Sequence, residues 1–143
     1  MTYLEALYGS QYYDLTKSGR NPESGRMTAN LFLTAFIIIS LFLLIALPMS
    51  FSSAFENSVT DFFHSLFGSA GGKAIGRILA FPLMAVIYFV IFYTIGTKKN
   101  YDAYIESFNK YPTEEKEKAT MKILKPFFIV LGGFFLLAMS SLF

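Results

Sequence analysis

The sequence predicts an all-α integral membrane protein with three transmembrane helices and additional amphipathic helices at the membrane interface. The first observation is that three stretches contain no Asp, Glu, Lys or Arg, namely residues 27–55, 78–97 and 126–143. A helix needs about 20 mostly apolar residues to cross a hydrocarbon core of about 30 Å, and each stretch is close to that length or longer. The second observation is that the remaining segments carry apolar residues at helical spacing among polar ones.

Composition supports this class and argues against others. Only 15% of the residues are charged, compared with about 25% in an average soluble domain. The net charge of +2 is small and its basic residues are dispersed, so no nucleic-acid partner is expected. Cysteine is absent, which removes disulfides, thiolate nucleophiles and cysteine-based metal sites.

The predicted organisation follows the three charge-free stretches. Six segments are expected: a cytoplasmic tail with a short amphipathic helix (1–28), transmembrane helix 1 (29–50), an external loop (51–74), transmembrane helix 2 (75–97), a charged cytoplasmic helical loop (98–121) and transmembrane helix 3 (122–143). The first apolar stretch follows a long polar tail and exceeds the length of a signal-peptide core, so it is interpreted as a span.

The tail begins with apolar residues at helical spacing, which are Leu4, Leu7, Tyr8, Tyr12 and Leu15. This spacing predicts a short amphipathic helix. Tyrosine favours the headgroup level of a bilayer, so the helix is interpreted as a surface anchor or a docking helix, with a frayed tail as the alternative. Residues 17–25 are predicted to form a loop because they are rich in Gly, Ser, Asn and Pro.

The external loop contains a second amphipathic segment, residues 55–67, which is too short to span a bilayer. Its apolar residues fall on one helical face: Phe55, Val59, Phe62, Phe63, Leu66 and Phe67. This face is predicted to lie in the membrane interface. Because its polar side is acidic rather than basic, packing on neighbouring helices is favoured over recruitment to anionic lipid.

Basic residues predict the orientation, since cytoplasmic loops carry an excess of Lys and Arg. The tail has three basic residues and the loop between spans two and three, with its flanks, has seven, so ten lie on one predicted side against two on the other. The N-terminus is therefore expected in the cytoplasm and the C-terminus outside, in the inner membrane if the source is bacterial.

The sequence offers few groups for chemistry. The single histidine, His64, is predicted on the polar side of the interfacial helix, with Asp61 and Glu56 nearby; an exposed histidine without a catalytic role is the simpler interpretation. No nucleophile motif or phosphate-binding loop is present. The span interiors contain no carboxylate, histidine or basic residue, which argues against a proton pump or haem ligation by histidine. No catalytic, cofactor-binding or metal-binding residue, and no cofactor, is assigned.

Small residues provide the only positive spacing signal. Gly72, Gly76 and Ala80 recur every four positions, as does the preceding Gly68. Such a pattern lets helices approach closely, and Gly132 and Gly133 in the third span are predicted to receive this face. A helix of another chain is the alternative partner, and a flexible connection at 68–72 is the alternative structure.

Three functions remain compatible with these observations. The leading hypothesis is a non-catalytic accessory or scaffold subunit of a larger membrane protein complex. The second is a self-associating small membrane protein that forms a pore or organises lipid. The third is a membrane-surface enzyme that uses His64, Asp61 or Glu56. The expected partners are the lipid bilayer and either other membrane subunits or further copies of the chain.

Overall fold

A computed structural model describes residues 1–68 and 72–140, with only the backbone described for 72–77. The described residues form α1 Tyr3–Lys17, α2 Ser24–Phe51, α3 Ser53–Phe67, α4 Gly72–Thr94, α5 Lys98–Asn109 and α6 Thr113–Ser140. This part of the chain contains no strand, and the predicted all-α class is confirmed.

Helix α1 has well-defined ends. The Thr2 hydroxyl accepts a hydrogen bond from the Glu5 backbone N–H at 3.2 Å, and the Glu5 carboxylate accepts one from the Thr2 N–H at 2.7 Å. This reciprocal cap satisfies two backbone donors at the helix start. After Lys17 the chain reverses through Gly19, whose φ of 69° is readily adopted only by glycine. The chain then enters α2 at Ser24, inside the segment predicted as a loop.

A single residue separates α2 from α3. Ser52 is extended, and its hydroxyl accepts a hydrogen bond from the Phe55 N–H at 3.3 Å, which caps α3. Its own N–H donates to the Pro48 carbonyl oxygen at 3.0 Å. The amphipathic helix therefore starts directly at the end of the long apolar helix.

Helices α4 and α5 meet at an angle of 67°. The Asn100 side-chain amide donates to the Thr94 carbonyl oxygen at 2.8 Å, which satisfies an acceptor at the end of α4. The Thr97 hydroxyl accepts from the Asn100 N–H at 3.2 Å and caps α5. In contrast, α6 continues without interruption through Pro126, so the charged segment before residue 122 and the apolar segment after it form one helix.

Two helices of the described chain, α2 and α6, are long and apolar enough to cross a membrane, and α4 with α5 makes a third candidate as a bent pair. The protein is therefore helical with two or three candidate membrane-spanning helices, which suggests a membrane location.

Helix α2 is central and packs on α1, α3, α4 and α6. It runs parallel to α6: the Phe127 ring lies 5.1 Å from that of Phe32, and further along both helices a Cβ on Gly133 would lie 3.4 Å from Leu43. Helix α1 runs antiparallel to α2, because Tyr3 is 6.1 Å from Phe36 by ring centroids while Leu15 lies beside Gly25. The start of α1 is thus level with the third and fourth turns of α2.

Burial divides the molecule into two regions. We call the first the base, formed by α1, α5 and residues 24–36, 91–97 and 113–127; the apolar segments are residues 37–51, 78–90 and 128–140. All buried residues in the described chain belong to the base: Ala6, Leu7, Tyr8, Gly9, Ser10, Gly25, Ala29, Asn30, Leu33, Thr34, Ile91, Gly96, Tyr101, Phe108, Ala119 and Ile123.

Candidate functional site

Tyr8 lies at the centre of the base, where α1, α2 and α5 meet. Its hydroxyl donates a hydrogen bond to the Asn30 side-chain oxygen at 2.6 Å, and both residues are fully buried. Its ring stacks on Tyr104 at 5.1 Å and meets the edge of Tyr101 at 6.0 Å. A buried hydroxyl that keeps its partner avoids a desolvation cost of about 1–3 kcal/mol. This contact holds α1 in a specific position on α2.

Asn30 has an unusual environment for the start of an apolar helix. Its side-chain Nδ2 is buried and has no hydrogen-bond partner among the described residues. Its backbone carbonyl accepts a second hydrogen bond from the Thr34 hydroxyl at 2.7 Å. The side chain lies against Gly96, where an added Cβ would overlap it. Glycine at position 96 therefore makes room for a polar side chain between α2 and the end of α4.

Two other glycines allow close helix approach within the base. A Cβ on Gly9 would overlap the Phe108 ring of α5. A Cβ on Gly25 would lie 2.9 Å from the Tyr101 hydroxyl and 3.2 Å from a Leu15 methyl carbon. Because small residues permit short distances between helix axes, these positions determine how tightly α1 packs on α2 and α5.

Burial changes the acidity of the tyrosines in the base. Tyr101 donates its hydroxyl proton to the Pro22 carbonyl oxygen at 2.7 Å, and burial, followed by the charge of Glu23, raises its pKa to about 12. Burial is also the main cause of the raised pKa of Tyr8, with the neighbouring Tyr104 contributing. Both phenols are neutral at physiological pH and donate hydrogen bonds, Tyr8 to Asn30 and Tyr101 to Pro22.

The outer side of the base carries an open cavity of about 360 Å³ between α1 and α5. Its lining consists of Tyr12, Glu23, Tyr101, Asp102, Ile105, Glu106 and Asn109. Two of these carboxylates share a lysine: the Lys98 ammonium is 3.3 Å from Glu23 and 3.7 Å from Asp102. These ion pairs are exposed and open to water, so they contribute little binding energy for a ligand.

The predicted interfacial face lies on α3. Phe62 is 59% exposed and Leu66 is 57% exposed, and no residue of α3 is buried. Within the described chain, α3 contacts mainly α2. The large apolar side chains of α3 are therefore not covered by the rest of the chain. His64 is exposed, and no group of three His, Asp or Glu residues in the described part is arranged to hold a metal ion.

The predicted small-residue face is only partly visible. Gly72 and Gly76 lie in the segment 72–77, of which only the backbone is described, and Ala80 is half-buried. A Cβ on Gly133 would meet Leu43 of α2 at 3.4 Å, whereas one on Gly132 would meet nothing within 4 Å. Gly133 thus faces α2, and pairing of the α4 face with Gly132 and Gly133 stays a prediction.

Sequence analysis did not single out Asn30, Gly9 or Gly96, and it assigned Gly25 to a loop. Asn30 left a detectable signal, since it is the only carboxamide between residues 27 and 55. The three glycines gave no such signal in the sequence, because their role depends on which other segment of the chain packs against them. Comparisons with family models, curated proteins and solved structures found no significant match to this chain.

Proposed function

We propose that this protein is inserted in a membrane through three spans and acts as a non-catalytic accessory or scaffold subunit of a larger membrane protein complex. The observation that supports this most directly is the contrast between a closely packed base and apolar segments with open sides. A subunit of this kind needs a stably folded part, here the base, together with helix surfaces that remain available for partners.

The open sides are extensive. In the most apolar 18-residue stretch of each helix, only 11% of the residues of α2 and 6% of those of α6 are buried within the chain. Large apolar side chains on different helices are exposed, including Leu44 at 66%, Phe81 at 74% and Leu136 at 71%. Exposed apolar area of this size is rare on soluble monomers and is typical of membrane or protein contacts. Lipid tails and partner helices would cover these surfaces.

We assign the base to the cytoplasm and the C-terminus to the outside, in the inner membrane if the source is bacterial. Residues 17–26 and 98–125 together hold ten basic residues, against two at Lys73 and Arg77, and this excess supports the orientation. The contact of α1 with α5 is compatible with it, since both segments lie at the same end of the bundle.

The non-catalytic part of the proposal is motivated by the sequence of the spans, which contain no carboxylate, histidine or basic residue in their interiors. Transport and proton-relay proteins place such residues at their functional sites. The apolar face of α3 is suited to contact either the membrane interface or a partner protein.

The test is purification of the tagged chain from its native membrane in mild detergent, followed by mass spectrometry and native mass measurement. Co-purifying subunits in fixed stoichiometry are the expected result. A chain that purifies alone as a monomer would contradict the scaffold proposal.

Self-association is the second candidate, because Gly72, Gly76 and Ala80 share one side of α4. A homo-oligomer would crosslink to itself when expressed alone and would lose assembly on Gly76→Leu. A surface enzyme is the least favoured function, and loss of an activity on His64→Ala without loss of assembly would be needed to support it.

A further inference from the structure

Three lysines form a stripe along the first half of α6. Lys118, Lys122 and Lys125 are spaced i, i+4 and i+7, which places them on one side of the helix. All three are exposed, while the buried residues Ala119 and Ile123 face the base from a neighbouring side. We call these three residues the lysine stripe.

The lysines of the stripe, unlike Lys98 and Lys110 but like Lys17, Lys99 and Lys116, make no ion pair with a carboxylate in the described chain. Lys110 is paired with Glu106 at 3.1 Å, and Lys98 with Glu23 at 3.3 Å. Lys122 donates to the Met1 carbonyl oxygen, a neutral group. Neither Lys118 nor Lys125 makes an ion pair within the described chain. The ammonium groups of Lys118 and Lys125 are therefore free to contact an external anion, although Glu114 and Glu115 lie one turn before Lys118.

The stripe ends where the apolar part of α6 begins. Pro126 follows Lys125 directly and opens the charge-free stretch 126–143. The ring of Phe127 packs at 5.1 Å on Phe32 of α2. The end of the stripe therefore lies at the edge of the base that adjoins the apolar segments. At 1.5 Å per residue the stripe extends about 10 Å from there. The headgroup layer on each side of a bilayer is on the order of 5–8 Å thick, so most of the stripe falls at that depth.

We propose that the lysine stripe binds the headgroups of anionic lipids in the cytoplasmic leaflet. The inference rests on the proposed insertion and orientation. Lysine stems can lie along apolar surface while the ammonium groups reach the phosphate level. Basic residues next to a transmembrane helix each strengthen binding to anionic lipid by about fivefold. An anionic lipid fits this surface because it has two matching parts. Its headgroup can contact the lysine stripe, and its acyl chains can lie along the apolar part of α6 that follows the stripe.

The test uses the full chain purified in mild detergent and native mass spectrometry with added phospholipid. Phosphatidylglycerol and phosphatidylcholine with identical acyl chains are titrated separately. The expected result is retention of phosphatidylglycerol at least about fivefold above phosphatidylcholine at low salt, decreasing as salt is added. In the double variant Lys122→Gln with Lys125→Gln this ratio should fall at least about fivefold, while Lys118 retains part of the preference.

A matched control is Lys17→Gln with Arg20→Gln, which removes the same charge at the far end of α1 and should keep the preference. Equal retention of both lipids by the wild type would overturn the proposal, as would an equal loss of preference in the control. Displacement of bound lipid by inorganic phosphate beyond that caused by sodium chloride at the same ionic strength would also overturn it. Extraction of the chain from membranes by alkaline carbonate would refute insertion itself, whereas a carbonate-resistant chain without lipid preference would refute only the stripe.

Discussion

The base and the apolar segments are built from the same helices but are stabilised differently. In the base, Asn30 of α2 and Gly96 of the turn after α4 are buried and in close contact. Higher on the same helices, Leu44 and Phe81 are 66% and 74% exposed. The base therefore has its own protein core, whereas the apolar segments depend on what surrounds them. The difference implies that substitutions of equal size should have unequal effects in the two regions.

The largest difference is expected for phenylalanine truncation. Phe108→Ala in the base should lower the free energy of unfolding by about 3–5 kcal/mol, because it leaves a cavity in a fully buried site. Phe135→Ala, at a side chain that is 61% exposed, should cost far less in the same detergent. Thermal unfolding followed by circular dichroism measures both, and equal losses would remove the distinction between the two regions.

Two glycine substitutions, one in the base and one in an apolar segment, should change the stability of the protein in opposite directions. Gly9→Ala should destabilise the protein by about 1–3 kcal/mol, because the new methyl group overlaps the Phe108 ring. Gly132→Ala meets open space, so higher helix propensity should stabilise it by up to about 1 kcal/mol. Unfolding temperatures of the two variants provide the measurement. A stabilising Gly9→Ala would mean that α1 is not closely packed on α5.

The hydroxyl of Tyr8 allows a finer test. Tyr8→Phe keeps the ring and leaves Asn30 buried without its 2.6 Å hydrogen bond, so a loss of about 1–3 kcal/mol is expected. Tyr93→Phe, at a side chain that is 71% exposed, should change stability by less than about 0.5 kcal/mol. Urea or thermal denaturation of the matched pair decides whether the hydrogen bond is specific to the base.

The smallest effect concerns alkaline pH. The pKa of Tyr101 is raised to about 12 from its ordinary value of 10.0, so the unfolded chain loses this proton first as the pH rises. The stabilising contribution is complete below pH 10.0, the ordinary value, and should be lost progressively between there and about 12. The ultraviolet absorbance of tyrosinate should show exposed tyrosines titrating first. Titration of all nine tyrosines as one group would contradict protection by the base.

The sequence was sufficient for the helical class and for the charge-free stretches, because both depend on composition and local periodicity. The apolar face of α3 could also be identified, since Phe55 to Phe67 repeat at helical spacing. The amphipathic pattern of α1 was equally visible, but its tyrosines suggested a lipid interface. Burial of Tyr8 depends on an acceptor 22 residues away, which periodicity does not indicate.

The membrane boundaries of the spans stay a prediction, for a physical reason. Ala29 and Leu33, among the first residues of the predicted span 29–50, are buried in the base. A protein core and a bilayer both select apolar residues, so hydropathy alone does not separate a buried helix turn from a lipid-facing one. The close approaches at Gly9 and Gly96 likewise require knowledge of the crossing helix.

The position of α1 has a consequence for biogenesis. This helix is synthesised first, yet it packs on α5 and α6, which are synthesised last. Contacts between distant segments form slowly because a long chain must close before they contribute. The base is therefore completed only after residues 98–127 have left the ribosome, and until then the apolar side of α1 needs a chaperone or the bilayer surface. Chains truncated after residue 97 should leave α1 sensitive to protease, while full-length chains should protect it.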